Sequence, residues 1–252
     1  MSLNERISCL TEEDPFFIYK DPELIALVDK VYIDIVKAKT KCNSYSIFQQ
    51  PNENDSKRLQ ASGDLGQKGI INIHSRIIDL MATIGERNLI VSDTSVLLSL
   101  KGCMEQQLHY DFDNIGHPDL TKKSLICIVA LQDNTSLRVL DKRSGLVIQV
   151  KFNKGEAFFG RGDIIHAGDG YDEDNIRLHW FGDYPNNGRD HNHTYLYNES
   201  TQSTTTSGHY YKRYFEVRIK NAINLNKKKR RTKGFNESRA EWCRKLNKMS
   251  VE

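Results

Sequence analysis

The 252 residues are 38% apolar and 27% charged, with a net charge of +3, enough for one large domain with additions or two small ones. No stretch approaches the roughly 20 apolar residues of a membrane span, and Met1 to Arg6 lead into no apolar signal run, so no membrane partner is expected. The five cysteines (Cys9, Cys42, Cys103, Cys127 and Cys243) are scattered without a C-x-x-C pair, which argues against a disulfide framework or a structural zinc site and for an intracellular chain, cytoplasmic or nuclear. The charge is uneven. Residues 227–252 carry ten basic and three acidic side chains, net +7, while the other 226 residues carry 26 and 30, net −4.

In chain order, residues 1–20 are mixed, with Pro15-Phe16-Phe17 as a packing cluster. Asp21-Pro22-Glu23 has the form of a helix start, an N-cap Asp followed by Pro at the first position. Leu24, Leu27, Val28, Val31, Ile35 and Ala38 continue it at helical spacing. Residues 49–69 are polar, with Gly63, Gly66 and Gly69, and read as a connection or a lid. A second amphipathic helix is predicted over Ser75 to Arg87, with His74 at its cap. Residues 1–88 are therefore expected to form a helical and loop region packed on the outside of a sheet.

From Asn88 the character changes to strands. Leu89–Val91, Ser95–Leu100, Leu125–Leu131, Leu137–Leu140, Leu146–Phe152, Ala157–Phe159, Ile164–His166 and Ile176–Phe181 are separated by Gly, Asp and Asn. Leu125 to Leu131 is apolar throughout, as for a strand buried on both faces. Many short strands at such spacing predict a mainly β core over residues 89–184, a sandwich or barrel of jelly-roll type with flanking helices. Residues 185–226 follow as loop and C-terminal helix, the helix suggested by Tyr211, Phe215, Ile219 and Ile223. His191 and His193 fall in that loop with no Cys or carboxylate pattern to complete a metal site.

The chemistry gathers at Gln106-Gln107-Leu108-His109-Tyr110-Asp111-Phe112. On a strand, alternate side chains share a face, so Gln107, His109 and Asp111 point one way and Leu108, Tyr110 and Phe112 the other. A histidine and a carboxylate two apart offer two of the three ligands of a facial triad, which suits non-haem Fe(II). A second His-x-Asp, His117-Pro118-Asp119, has Pro at its centre and reads as a turn. Beyond Asp111 come 54 residues, then His166 at the end of a short apolar strand, then Arg177 eleven positions later. Asn175, Arg177 and His179 share one face of that last strand, and Ile176, Leu178 and Trp180 the other.

This ordered set resembles the Fe(II)/2-oxoglutarate-dependent dioxygenases, and within them the phytanoyl-CoA-hydroxylase-like branch. The resemblance covers roughly Val96 to Tyr184. It implies a double-stranded β-helix, the cupin-like jelly roll. It implies Fe(II) on His109, Asp111 and His166, which would be the catalytic residues, and 2-oxoglutarate with its far carboxylate on Arg177. O2 would be the co-reactant and succinate and CO2 the products. A planar guanidinium suits a carboxylate, since two parallel hydrogen bonds join them. Gln107 and His179 share faces with these residues; they contact the cosubstrate, or are satisfied interior polar groups supporting the ligands. Gly168 stands where relatives can carry a serine that helps hold the cosubstrate. Two other readings remain open at this level: a non-enzymatic jelly-roll module with a nucleic-acid-binding tail, and a cupin-type metalloenzyme without 2-oxoglutarate. The basic tail 227–252 is the one feature that suggests a partner, either nucleic-acid phosphates or the import machinery. The substrate is not legible.

Overall fold

A computed structural model describes residues 10–41, 56–62, 68–82, 90–112, 119, 124–184, 194–198 and 203–207. Twelve strands and two helices follow in the order β1 (Phe16–Lys20), α1 (Pro22–Lys41), β2 (Arg58–Ser62), α2 (Lys68–Ala82), β3 (Ile90–Ser99), β4 (His109–Tyr110), β5 (Leu125–Ala130), β6 (Thr135–Asp141), β7 (Leu146–Phe152), β8 (Glu156–Arg161), β9 (His166–Gly168), β10 (Asn175–Asp183), β11 (Thr194–Asn198) and β12 (Ser203–Ser207). They form two six-stranded sheets, β1-β8-β5-β10-β3-β2 and β12-β11-β4-β9-β6-β7. Every pairing is antiparallel. This is the jelly roll that the strand spacing predicts.

The first sheet is a shared wall. Alternation on β5 sends Leu125, Cys127 and Val129 into a cluster with Leu24, Val28, Val31 and Ile35 of α1 and Ile70, Ile73, Ile77 and Leu80 of α2. Ile126, Ile128 and Ala130 point the other way, into the interior with Val139, Phe152 and Phe158. The unbroken apolar run of β5 thus reflects two cores, one on each face. Each large aliphatic side chain fully buried here contributes about 1.5–3 kcal/mol. β10 divides in the same way: Ile176, Leu178 and Trp180 face the helices.

α1 starts as predicted. Asp21 Oδ1 accepts from the backbone N of Glu23 (2.8 Å) and Leu24 (3.0 Å), and Asp21 Oδ2 pairs with Arg76 at 2.6 Å, tying α1 to α2. α2 begins earlier than Ser75. Ile70 and Ile73 extend its buried stripe, and Ser75 Oγ bonds back to Ile71 O (3.0 Å), a mid-helix contact rather than a cap. Gly69 is needed in its first turn, where a Cβ would fall 2.7 Å from Val31 Cγ2 of α1. His74 is accordingly mid-helix and not a cap residue. Its Nδ1 accepts from Trp180 Nε1 at 2.8 Å and lies 2.9 Å from Thr94 Oγ1.

Four further expectations are corrected. The N-terminal region does not only pack on the sheet, because β1 and β2 form its two edges. The polar connection 49–69 contains β2. The strands expected at Leu89–Val91 and Ser95–Leu100 are one strand, β3, and its register against β10 shifts between His179 and Phe181 where the polar Ser92-Asp93-Thr94 stretch bulges opposite Trp180. Residues 185–226, expected as loop and C-terminal helix, carry the hairpin β11–β12, which extends the second sheet beyond β4; threonine and tyrosine favour strands as much as their hydroxyls suggest loops. His117, His191, His193, the helix expected at 211–223 and the tail 227–252 lie outside the described residues. Among the described residues no helix is long and apolar enough to cross a membrane.

Candidate metal centre

His109 and His166 face each other as direct partners across β4 and β9, with ring centroids 4.7 Å apart. Asp111 follows just past β4. One ligand atom from each of His109, Asp111 and His166 lies within 4.8 Å of the others, the group of His, Cys, Asp or Glu among the described residues that could hold a metal. His109 Nε2 is 3.8 Å from Asp111 Oδ1, and His166 Nε2 is 3.4 Å from Asp111 Oδ2. Both rings are oriented by backbone carbonyls: His109 Nδ1 lies 2.8 Å from Gln107 O and His166 Nδ1 lies 3.3 Å from Ile164 O. A protonated Nδ1 donating to a carbonyl leaves the Nε2 lone pair turned inward, the tautomer a metal ligand needs.

The electrostatics suit a cation. Burial, with His166 beside it, pushes the His109 imidazole down to about 4, so it is neutral at neutral pH. Burial opposes charge on His166 too, but the Asp111 carboxylate overcomes this and raises it. Burial alone would raise Asp111; His166, His179 and His109 around it outweigh burial and hold it well below the usual carboxylate range. Asp111 Oδ2 is buried with no hydrogen-bond partner among the described residues. An anionic oxygen beside two inward imidazole nitrogens is the donor set of a divalent metal, which would displace the proton that Asp111 favours on His166.

β10 lines the adjoining wall. Arg177 is 3% exposed, and among the described residues no carboxylate pairs with it. Its Nη1 donates to Ser99 Oγ (3.0 Å) and its guanidinium carbon lies 5.7 Å from the Tyr171 ring centroid, while its Nε has no hydrogen-bond partner among the described residues. Asn175 Oδ1, on the same face, is also buried without a partner among them. Unsatisfied buried polar atoms are uncommon, and these point to a bound polar ligand. His179 Nε2 stands 3.7 Å from Asp111 Oδ2, beside the triad rather than within it.

The segment before His109 departs from strict alternation: the ladder of β4 covers only His109 and Tyr110, and upstream the backbone is held by single hydrogen bonds, Gln106 N to Gly168 O at 2.9 Å and Tyr197 N to Leu108 O at 2.8 Å. Gln107 is exposed, whereas Gln106 reaches β9: its Oε1 accepts from Gly168 N at 3.0 Å. The alternative of a satisfied interior polar group therefore does not hold for Gln107. Leu108 and Tyr110 pack together with Ile165 and Ala167 as predicted, whereas Phe112, past the end of β4, does not share their face: it joins the interior cluster with Ile126, Ile164 and Phe181. Sequence reasoning missed Arg58, Ser99 and Gln106. Gln106 could have been found as a neighbour of the ligand stretch. Arg58 carried no signal inside a polar segment.

No protein-family model and no curated protein sequence matches the chain. Solved structures share its fold. AviO1 from Streptomyces viridochromogenes Tue57 aligns with a TM-score of 0.57 at 14% identity, over 74% of this chain and 96% of that one. A Pseudomonas putida prolyl-4-hydroxylase aligns at 0.55 and 13%, over 73% and 99%. The epimerase SnoN, solved in complex with Fe3+, alpha ketoglutarate and nogalamycin RO, aligns at 0.53 and 12%, over 78% and 86%. The likeness is one of fold: this chain is a jelly roll of the double-stranded β-helix type.

Proposed function

We propose that the chain is an Fe(II)- and 2-oxoglutarate-dependent oxygenase. The observation that carries this reading is Arg177, a buried guanidinium with no carboxylate partner among the described residues, on the wall beside a His-Asp-His cluster. In this reading His109, Asp111 and His166 hold the iron. Arg177 receives the far carboxylate of 2-oxoglutarate through a two-hydrogen-bond fork, with Ser99 fixing the guanidinium and Tyr171 flanking it. His179 keeps Asp111 charged and borders the cosubstrate. The apolar interior around Phe112, Ile164 and Phe181 excludes water from the same space. When bound, iron and cosubstrate supply O2 activation coupled to release of succinate and CO2.

The eleven-residue step from His166 to Arg177 supports the phytanoyl-CoA-hydroxylase-like branch. Hydroxylation and oxidative demethylation are both within this chemistry. The tail 227–252, at net +7, is the segment we assign to nucleic-acid contact or nuclear import.

The test is anaerobic loading with Fe(II), titration with 2-oxoglutarate, and succinate release in air against pools of candidate substrates. One iron per chain, lost in His109→Ala and Asp111→Ala, with iron-dependent succinate, supports the reading. A non-enzymatic jelly-roll module would release none, and a cupin-type enzyme would bind metal but not 2-oxoglutarate.

A further inference from the structure

Arg177 does not occupy its hydroxyl alone. Arg58 is the direct partner of Ser99 across β2 and β3, and its Nη1 donates to the same Ser99 Oγ at 3.1 Å. Arg58 is 5% exposed. Its Nη2 is held by the carbonyls of Met104 and Asp169, the latter at 2.6 Å. The two head groups also converge on β9. A Cβ built on Gly168 would fall 2.7 Å from Arg58 Nη1 and 3.2 Å from Arg177 Nη2, with Gln106 Oε1 closer still. Two residues beyond His166, the chain thus has no side chain, and two guanidinium edges and one amide take up the space.

We propose that Arg58 is a second guanidinium of the anion site, so that the far carboxylate of the cosubstrate is held between two arginines, one on β10 and one on β2. The proposal rests on the functional reading above. A carboxylate has about four lone-pair directions and can serve a donor on each oxygen. The Nη1 edge of Arg58 and the Nη2 edge of Arg177 converge at Gly168, so an anion drawn to Arg177 lies within reach of Arg58. A ligand of the same length without the far carboxylate gains nothing from either arginine. Arg58 is then a specificity-determining residue, setting the preference for a dicarboxylate over a monocarboxylate.

The experiment uses the full chain loaded anaerobically with Fe(II), titrated with 2-oxoglutarate and with 2-oxopentanoate, which keeps the 2-oxo acid end and chain length but lacks the second carboxylate. Arg58→Gln is expected to weaken 2-oxoglutarate at least about tenfold, the scale of one charged hydrogen bond, and to leave 2-oxopentanoate nearly unchanged. The ratio of the two constants is the readout, because a purely structural role through the Met104 and Asp169 carbonyls would weaken both ligands in parallel. A parallel loss overturns the proposal. Should Arg58→Gln fail to fold, Arg58→Lys keeps the charge and loses the fork; its ratio must still fall several-fold, and an unchanged ratio is a refutation. Failure of the functional reading is seen separately, in a wild-type chain that does not prefer 2-oxoglutarate at all.

Discussion

Replacing Arg177 separates ligand binding from stability, and the two should move in opposite directions. In the ligand-free chain the guanidinium rests on one hydroxyl, Ser99 Oγ, and on the Tyr171 ring, with Nε unpartnered and no carboxylate paired with it among the described residues. If 2-oxoglutarate completes that arrangement, removing Arg177 removes one side of a buried charge pair. Such a loss costs about 2–5 kcal/mol. At about 1.4 kcal/mol per decade, Arg177→Ala should raise the 2-oxoglutarate dissociation constant by roughly one and a half to three and a half decades. Arg177→Lys keeps the charge but not the fork and should fall between wild type and Ala. Iron affinity should hardly move. Stability should respond differently, because a buried cation without its counter-ion is a burden on the folded state. Arg177→Met, of similar volume, should leave the ligand-free chain as stable or more so. The assays are anaerobic calorimetric titration and denaturant unfolding of the same variants. Equal 2-oxoglutarate affinity in all of them, or a loss of several kcal/mol of ligand-free stability in Arg177→Met, would refute the reasoning.

Further outcomes follow from the same contacts. His109→Ala, Asp111→Ala and His166→Ala should each abolish metal binding with the fold retained, and His117→Ala should not; the reverse pattern would mean that the other His-x-Asp is the ligand pair. Trp180→Phe removes the donor to His74 Nδ1 but leaves Thr94 Oγ1 at 2.9 Å to serve it, so urea unfolding should show a loss near 1 kcal/mol, against about 3–5 kcal/mol for Trp180→Ala. Asp169 is buried, which alone would raise its pKa, but Gln149, Ser136 and the Gly170 amide outweigh burial and lower it. Its folded value lies below its unfolded one, so its stabilisation is present above an unfolded pKa near 3.9 and fades as pH falls through the folded value. The stability difference between wild type and Asp169→Asn should be flat from about pH 7 to 5 and shrink below about 4; a difference independent of pH would show that the charge is not what matters. Deleting 227–252 should abolish salt-dependent retention on nucleic acid and leave iron content unchanged, and loss of iron on that deletion would make the tail part of the core.

The core strands and the ligand set were legible for one reason: their patterns obey a simple rule. β5 is apolar without a break, and β10 alternates so that Ile176, Leu178 and Trp180 face the helices while Asn175, Arg177 and His179 face inward. β2 obeys the same geometry with the opposite appearance. Leu59 and Ala61 pack toward the helices, but Arg58 and Gln60 point into the barrel, where Gln60 Nε2 meets Ser95 Oγ at 2.9 Å. Polar residues are read as solvent-facing, and a cavity built to hold charge inverts that rule. The same inversion hid Ser99. The shift from Gln107 to Gln106 has another cause: alternation constrains side chains where a continuous ladder holds the pleat, and before His109 only single backbone hydrogen bonds do so. The hairpin β11–β12 was hidden by composition, since Ser and Thr signal loops and strands about equally.

The pairing of His109 with His166 joins residues 57 positions apart in the chain, and Arg58, Ser99 and Arg177 come from three further strands, β2, β3 and β10. No local piece of this sequence can therefore supply all three ligands on its own, unlike a zinc finger, whose ligands sit in one short segment that the ion can organise. Closing such long loops is slow, so the jelly roll must be nearly complete before the first high-affinity encounter with metal. Metal and dianion should then act as late locks on a finished fold, raising the unfolding temperature with concentration while leaving the refolding rate almost untouched.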